Sequence, residues 1–387
     1  MNTNSTRRSP AIRFGALAAA ALFSMGAAHA AEFKAGDWTL GVNGIVNAYE
    51  THTSCSGSQA VSGLALASQA LGCAGASSRN IIGNGLLPNA LVVTAKGKED
   101  GLDIGATLMI GMATASGDAI SNNNNVDVRQ GFFTLGDGNI GTFKLGRDYG
   151  LFGANAILGD MTLIGAGAPV GATQRNRVTL GHIGSGYSYL GTYGQIAWAS
   201  APAGGFSANL ALVSPVDSAG GEFLGSSQPQ IQARAGYAAG PAKVWVSAKS
   251  QKFTPAAGGD SFTMSGVEVG GSVAVDGFGL LVNLQSGKGL GVLADADAGN
   301  TKQDNLFVQG TWQAAPKLKL GLNWGQTELK DSVGTGLKSN RNTTAGAYWS
   351  VTKSITLSAE VSQTQSRDAA GDTARMNGLA VGGILFF

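Results

Sequence analysis

Few residues of this 387-residue chain have the types and spacing that catalysis requires. Nucleophilic catalysis needs a nucleophile beside a base, and a third group must orient that base. His52 and His182 lie in predicted loops, with no serine and acid at a recognisable spacing. We therefore predict that the protein is not an enzyme and that it needs no cofactor.

One acidic segment resembles a calcium-binding loop, because Asp295, Asp297, Asn300 and Asp304 alternate with other residues. Such a loop closes with a glutamate, and Leu306 stands at that place. We interpret the segment as a hydrated surface loop, and the sequence predicts no metal site.

The two cysteines, Cys55 and Cys73, lie in a stretch rich in Gly, Ser and Ala. Two cysteines without nearby histidines do not make a zinc site. Because thiols can be oxidised after export, we predict a disulfide that closes an external loop. Free thiols are the alternative.

The N-terminus has the pattern of an export signal. Arg7, Arg8 and Arg13 precede an apolar run over residues 14–28, and alanines flank His29. A basic start, a short apolar centre and small residues at the cleavage point predict a signal peptide over residues 1–30. The Arg7–Arg8 pair also suits the twin-arginine route, but an ordinary basic start is the preferred interpretation.

Charge and composition exclude several classes of protein. The predicted leader contains three of the 26 basic residues and none of the 24 acidic residues. The rest of the chain therefore has 23 basic and 24 acidic residues and is close to neutral. The chain therefore lacks the basic surface that nucleic-acid binding requires. Its 60 glycines have no period of three, which excludes collagen. After the leader, no apolar run approaches the ~20 residues of a membrane-spanning helix.

Segments in which apolar and polar residues alternate follow the leader, and they are joined by short and long connections in turn. In the clearest segment, Leu102 to Met112, every second residue is apolar or small. Other segments lie near 126–135, 140–149 and 193–200, and the total is sixteen. Such a pattern is typical of outer-membrane barrels. We predict an all-β fold, a 16-stranded antiparallel transmembrane β-barrel over residues 31–387.

The chain ends on an apolar strand, Asn377 to Phe387, with no tail. A terminal strand frays unless both of its edges are paired, and closure of a barrel pairs them. An even number of strands places both termini on the periplasmic side.

Polar and charged residues fall on the inward stripe of these strands. They are Lys96, Arg129, Gln232, Arg234, Lys319 and Glu360. The interior of a sixteen-stranded barrel is too wide for side chains to fill, and dry burial of unpaired charges is costly. We therefore predict a water-filled lumen, with Lys96, Arg234 and Lys319 as ordinary residues of its wall.

The connection over residues 148–192 is too long for a hairpin and is rich in Gly and Ala. A segment of small and apolar residues is better placed inside the barrel than in water. We predict that residues from about 148 to 175 form a constriction loop, which folds inward and narrows the lumen.

Three stretches resemble the general porins of Gram-negative bacteria, which are trimeric outer-membrane proteins. Val126 to Gly153, VDVRQGFFTLGDGNIGTFKLGRDYGLFG, resembles the signature that leads into their constriction loop. The segments ALVSPVDS and WASAPAGGF resemble the proteobacterial branch. Phe387 resembles the aromatic end that the barrel-assembly machinery reads in that family.

In this family, arginines on the wall face carboxylates on the constriction loop. By resemblance, Arg129 and Arg147 match wall arginines, and Arg175 or Arg177 matches the arginine after the loop. Asp160 and Asp148 would supply an acidic side that is sparser than in many members. By strand period Arg147 would point to lipid, so its place at the constriction requires a bulge or a strand end. Ordinary solvated positions on the lumen wall are the alternative for Arg129 and Arg147.

Basic residues in a narrow neck attract anions and repel cations. The expected function is passive diffusion of small hydrophilic solutes and ions, neutral or with a weak preference for anions. A channel specific for small anionic solutes such as carboxylates is the alternative, and a plugged barrel that acts as an adhesin or enzyme is a third class. The resemblance implies a homotrimer in outer-membrane lipid and lipopolysaccharide, inserted by the barrel-assembly machinery.

Overall fold

The computed structural model describes residues 31–58, 60–64, 73, 76–112, 114, 126–174, 177–218 and 220–387. For residues 127, 170–174, 177 and 178 it describes the backbone alone. The predicted signal peptide and Arg175 lie outside the described residues, and so does the side chain of Arg177.

Sixteen antiparallel strands form one sheet in which neighbours in sequence are neighbours in space. The first eight are β1 Trp38–Gly57, β2 Ser78–Gly83 with Asn89–Glu99, β3 Leu102–Met112, β4 Val126–Asp127 with Gly131–Asp137, β5 Gly141–Tyr149, β6 Thr192–Ala199, β7 Phe206–Val213 and β8 Phe223–Gly225 with Gln230–Ala239. The other eight are β9 Ala242–Pro255, β10 Phe262–Val275, β11 Phe278–Lys288, β12 Lys302–Ala315, β13 Leu318–Leu329, β14 Leu337–Ser350, β15 Ile355–Asp368 and β16 Thr373–Phe386.

The sheet closes because β16 pairs with β1, from Ile45 opposite Phe386 to Gly57 opposite Ala374. A short N-terminal strand, Ala31–Ala35, continues the line of β16 along β1. The backbone of Phe387 exchanges two hydrogen bonds with Gly44, of 2.8 and 3.1 Å. The predicted sixteen-stranded antiparallel barrel is therefore confirmed, and closure pairs the edge of its last strand.

The alternation in sequence becomes an apolar outer face and a polar inner face. In β3, Leu108 and Ile110 are 62% and 53% exposed, whereas Met109 between them is 4% exposed. The outer face is one on which lipid tails can pack. No helix in the described part of the chain is long and apolar enough to cross a membrane.

Short turns join the strands at one end of the barrel. Asp100 and Gly101 lie at φ of 48° and 85°, and Asp276 and Gly277 lie at 50° and 83°. Two consecutive positive φ values are the requirement of a tight type I′ hairpin, which Asp-Gly favours. In outer-membrane barrels the end with short turns is periplasmic, and the longer connections are extracellular.

The long connection after β5 folds into the barrel, as predicted. It contains helix α1, Ala154–Gly159, a 3₁₀ turn, Met161–Ile164, and a small hairpin, Pro169–Gln174 with Arg177–Thr179. Almost all of its described side chains are buried. We call residues 150–191 the inner loop, because the inward-packed segment continues past the predicted limit near 175 to Gly191.

Two other connections also turn inward. Cys55 and Cys73 form the predicted disulfide, which ties the connection after β1 to the barrel wall. Leu64 from this connection packs with Leu180 of the inner loop and with Val292 and Leu293. Asp295, Asp297, Asn300 and Asp304 were predicted to lie in a hydrated surface loop. Asn300 and Asp304 are exposed, but the prediction is wrong for Asp295, which is buried where Val292 and Leu293 turn inward.

Candidate functional site: the constriction formed by the inner loop

Asp160 is the centre of the inner loop. Its carboxylate accepts hydrogen bonds from Tyr187 Oη at 2.6 Å, from the Thr162 backbone N–H at 2.9 Å and from Asn323 Nδ2 at 3.1 Å. His182 Nδ1 lies 3.3 Å from the same carboxylate. One acid therefore joins both arms of the inner loop to the wall strand β13.

The groups that surround the carboxylate of Asp160 favour its ionised form. Burial alone would raise its pKa, but His182 and the hydrogen bonds from Tyr187 and Thr162 outweigh burial and leave the pKa below its usual value. Burial and the neighbouring carboxylate raise the pKa of Tyr187 well above its usual value. Tyr187 therefore stays protonated and donates to Asp160.

Glu360 on β15 holds the next part of the inner loop. Its carboxylate accepts the backbone N–H groups of Ala166 at 2.8 Å and Gly167 at 2.7 Å, and the hydroxyl of Tyr348 at 2.5 Å. A Cβ atom at Gly165 would overlap a carboxylate oxygen of Glu360. Glycine at residue 165 is therefore required for this close approach.

Glu268 on β10 anchors the start of the inner loop. It accepts the backbone N–H of Gly153 at 3.2 Å, the side-chain amide of Gln285 at 3.2 Å and the hydroxyl of Ser247. Glu268 was not predicted from the sequence, and Glu360 was predicted to be a hydrated residue of the lumen. The only available signal was their place on the inward stripe.

Wall amides complete the attachment. Gln232 on β8 accepts the N–H groups of Leu151 and Phe152 at 2.7 and 3.1 Å. Gln309 on β12 accepts the N–H of Met161 at 2.6 Å and donates to the carbonyl of Gly159 at 2.8 Å. Buried backbone groups of the inner loop thus find partners on the barrel wall, as burial requires.

Two further buried acids are paired with cations. Asp148 accepts from Lys144 and, at 2.8 Å, from Gln130 Nε2. Asp295 accepts from Lys249 Nζ at 2.5 Å and from Tyr193 Oη at 3.1 Å. Sequence reasoning did not find Lys144 or Lys249, because period alone does not show which inward cation meets an inward acid.

Arg129 lies on the lumen side, where it is 7% exposed and is hydrogen-bonded to Tyr149. Lys96 lies on the inward face near the short-turn end, and its Nζ is 3.5 Å from Glu32. Both residues face the interior of the barrel.

Arg147 lies on the outer face, contrary to the predicted place at the constriction. It pairs with Gly131 and Gly194 in regular ladders without a bulge, so its side chain points outward with Leu145. Its Nε donates to the carbonyl of Val128 at 2.9 Å, and its Nη2 donates to Thr192 Oγ1 at 2.9 Å. The bulge that a lumen position would need is not present.

Arg234 and Lys319 lie on the inner wall between the inner loop and the short turns. The guanidinium of Arg234 donates to Asn209 Oδ1 at 3.0 and 3.2 Å. Lys319 Nζ lies 5.4 Å from the ring centre of Tyr348. Among the described residues, neither cation has a carboxylate within ion-pair distance.

The geometry of a barrel narrowed by an inward loop agrees with comparison to known proteins. Residues 16–369 match the model of a family described as Gram-negative porin, so the chain belongs to the Gram-negative porin family. The protein is an outer-membrane channel for passive diffusion, and it is not an enzyme. No curated protein matches the chain.

Solved structures share the fold at low identity. The outer membrane channel DcaP of Acinetobacter baumannii has a TM-score of 0.68 and 13% identity, over 92% of this chain and 99% of that chain. An anion-selective porin from Comamonas acidovorans has a TM-score of 0.63 and 17% identity, over 90% and 100%. A trimer form of OmpT from Vibrio cholerae has a TM-score of 0.58 and 15% identity, over 91% and 100%.

Proposed function

We propose that this channel is a narrow diffusion pore with a weak preference for small anions. The observation that carries the proposal is an imbalance between engaged and available charges. Five buried carboxylates are occupied by the inner loop, by cations or by wall side chains: Asp148, Asp160, Glu268, Asp295 and Glu360. Arg234 and Lys319, in contrast, have no carboxylate within ion-pair distance among the described residues, and the charge nearest to Arg234 is the more distant, already engaged Glu268.

An acid that already accepts several hydrogen bonds adds little attraction for a passing cation. The electric field of a wall cation that has no carboxylate at ion-pair distance extends into the lumen and attracts anions there. The low-dielectric walls of the lumen concentrate that field. Permeating anions therefore gain more from the inner wall than cations do. Solutes are selected first by the width of the lumen beside the inner loop and then by the positive charge of Arg234 and Lys319.

Reversal potentials across a planar bilayer, measured in a salt gradient, test the proposal. We expect the wild-type channel to favour the anion weakly, and Arg234→Gln with Lys319→Gln to shift the potential toward cation preference. Arg147→Gln is the matched control, because it removes one charge from the outer face. Clear cation preference in the wild type would refute the proposal.

A channel specific for small anionic solutes such as carboxylates is the second candidate. Close packing around the inner loop favours it, since Asn283, Asn342, Thr344 and Thr364 on the inner wall are fully buried. Conductance that a carboxylate blocks in a saturable manner would support this candidate. Conductance that rises linearly with solute concentration would support the general pore.

We also propose the assembly and surroundings of the channel. A homotrimer is supported by the family and by the trimer form of OmpT. Export by a signal peptide over residues 1–30 is supported by the basic and apolar pattern of that segment. Recognition of Phe387 by the barrel-assembly machinery is supported by the family resemblance and by the pairing of its backbone with Gly44 where the barrel closes. Contact with outer-membrane lipid and lipopolysaccharide is supported by the apolar outer face.

A further inference from the structure

A groove of about 450 Å³ lies on the outer face of the barrel across β10 to β13. Its floor is apolar and includes Val267, Val269, Leu284, Leu306 and Trp324. Val267, Val269 and Leu284 are each about half exposed within the single chain. The floor is therefore able to receive a hydrocarbon chain.

One end of the groove carries charge. Lys330 Nζ lies 3.2 Å from Asp304 and 2.8 Å from Glu328, and all three residues line the groove. Lys338 Nζ is 3.7 Å from Glu328. Arg341 Nε donates at 2.8 Å to Gln326, which also lines the groove.

Further cations extend this end of the groove. Lys288 and Lys302 are directly opposite each other on β11 and β12, and the backbone N–H of Lys330 donates to the carbonyl of Lys302 at 2.8 Å. The charged rim thus contains five basic residues, Lys288, Lys302, Lys330, Lys338 and Arg341. Three acids, Asp304, Glu328 and Asp331, stand among them, and Asp331 accepts the N–H of Lys302. The rim is net positive by two charges, and the excess comes from Lys288, Lys302, Lys338 and Arg341, because the lining of the groove itself holds Lys330 beside the carboxylates of Asp304 and Glu328.

The charged rim lies at the end of the strands with long connections. Residues 289–301 and 330–336 join the strands there, whereas two-residue turns join them at the opposite end. In an outer-membrane barrel this end faces the cell exterior, so the groove crosses the outer leaflet. Its apolar floor lies toward the bilayer centre, and its charges lie at headgroup height.

We propose that this groove binds lipid A, the phosphorylated and acylated part of lipopolysaccharide. An acyl chain would lie on the apolar floor, and a phosphate would contact Lys330 and Arg341 through charge-assisted hydrogen bonds. Asp304 and Glu328 hold Lys330 at the mouth of the groove. This inference rests on the proposed contact with lipopolysaccharide and gives that contact a place on the molecule.

Native mass spectrometry of the whole protein in detergent, titrated with purified bisphosphorylated lipid A, tests the proposal. Each basic residue near a membrane surface contributes roughly 1 kcal/mol, so Lys330→Ala with Arg341→Ala should weaken binding about thirtyfold, equivalent to about 2 kcal/mol. The matched control removes two lysines at the short-turn end, Lys317→Ala with Lys353→Ala, and should leave the affinity unchanged. Leu284→Asn on the groove floor should also weaken binding.

Two comparisons decide the chemistry. Dephosphorylated lipid A and phosphatidylglycerol should bind much more weakly than bisphosphorylated lipid A, and equal binding of either would overturn the proposal. Unchanged affinity in Lys330→Ala with Arg341→Ala would overturn the site. Lipid A that binds dissociated monomers but not the intact oligomer in the same spectra would show that a second subunit covers the groove, and it would overturn the proposal. Conductance measured on the same samples tests the channel separately, because the groove does not face the lumen.

Discussion

Replacement of Asp160 by alanine should release the inner loop while leaving the barrel intact. The substitution removes the acceptor for Tyr187, Asn323 and the Thr162 backbone N–H. Tyr187 and Thr162 are fully buried and Asn323 is 1% exposed, so water does not replace the lost partner without local opening. At about 1 kcal/mol for each unpaired donor, the inner loop loses about 3 kcal/mol of local stability. The open fraction should therefore rise roughly 150-fold.

Hydrogen exchange measured by mass spectrometry checks this expectation. Peptides from residues 150–191 should exchange roughly 150-fold faster in Asp160→Ala, while peptides from β12 to β14 should keep their protection. Asp260→Ala is the matched control, because Asp260 lies in an exposed connection. Channel conductance should rise and become noisier as the inner loop leaves the lumen. Unchanged exchange in the inner loop would refute the reasoning that Asp160 holds it.

The remaining predictions concern glycine packing, pH, the outer-face arginine and the disulfide. Gly165→Ala should displace Glu360 and destabilise the inner loop by about 1–3 kcal/mol in hydrogen exchange, whereas Gly138→Ala, with open space around it, should not. Because the folded pKa of Asp160 is lowered, its stabilisation is complete above the ordinary pKa of about 4 and is lost as pH falls through the lower folded value. Cleavage of the inner loop by pepsin should therefore increase at the acid end of its range in the wild type. Asp160→Asn should show no such dependence, and equal dependence would contradict the assignment. Arg147→Leu should leave ion selectivity unchanged, since its side chain is outside the lumen; a shifted reversal potential would place it at the pore. Cys55→Ser opens a disulfide with a sequence separation of 18, so protease resistance of the connection after β1 should fall. Closure of a loop of this length contributes about 3 kcal/mol, and unchanged resistance would show that packing alone holds it.

The barrel could be predicted from local pattern because strand period is a local property. Alternation in Leu102–Met112 and the Asp-Gly turns at residues 100 and 276 each depend on a few neighbouring residues. The disulfide was also predictable, because only two cysteines exist in the chain. The case of Arg147 supports the same principle. Strand period alone placed it outward with Phe143 and Leu145, and the family resemblance overrode that correct interpretation.

The constriction was only partly predictable. Its general location followed from the length and composition of residues 148–192, but its attachment to the wall did not. Glu360 binds the N–H of Ala166 across 194 residues of sequence, and Gln309 binds that of Met161 across 148 residues. Which inward carboxylate meets the inner loop, and which inward cation stays unpaired, depends on the register and closure of the whole barrel.

The amino-acid sequence by itself determined the strands, their turns and the two faces of the wall, because each depends on side chains a few residues apart. Only the tertiary structure decided that Glu268 and Glu360 anchor the inner loop and that, within the described part of the chain, Arg234 and Lys319 have no carboxylate at ion-pair distance. Hydrogen bonds and ion pairs act over a few ångströms in space. Closure of the barrel brings together partners that the linear chain keeps far apart.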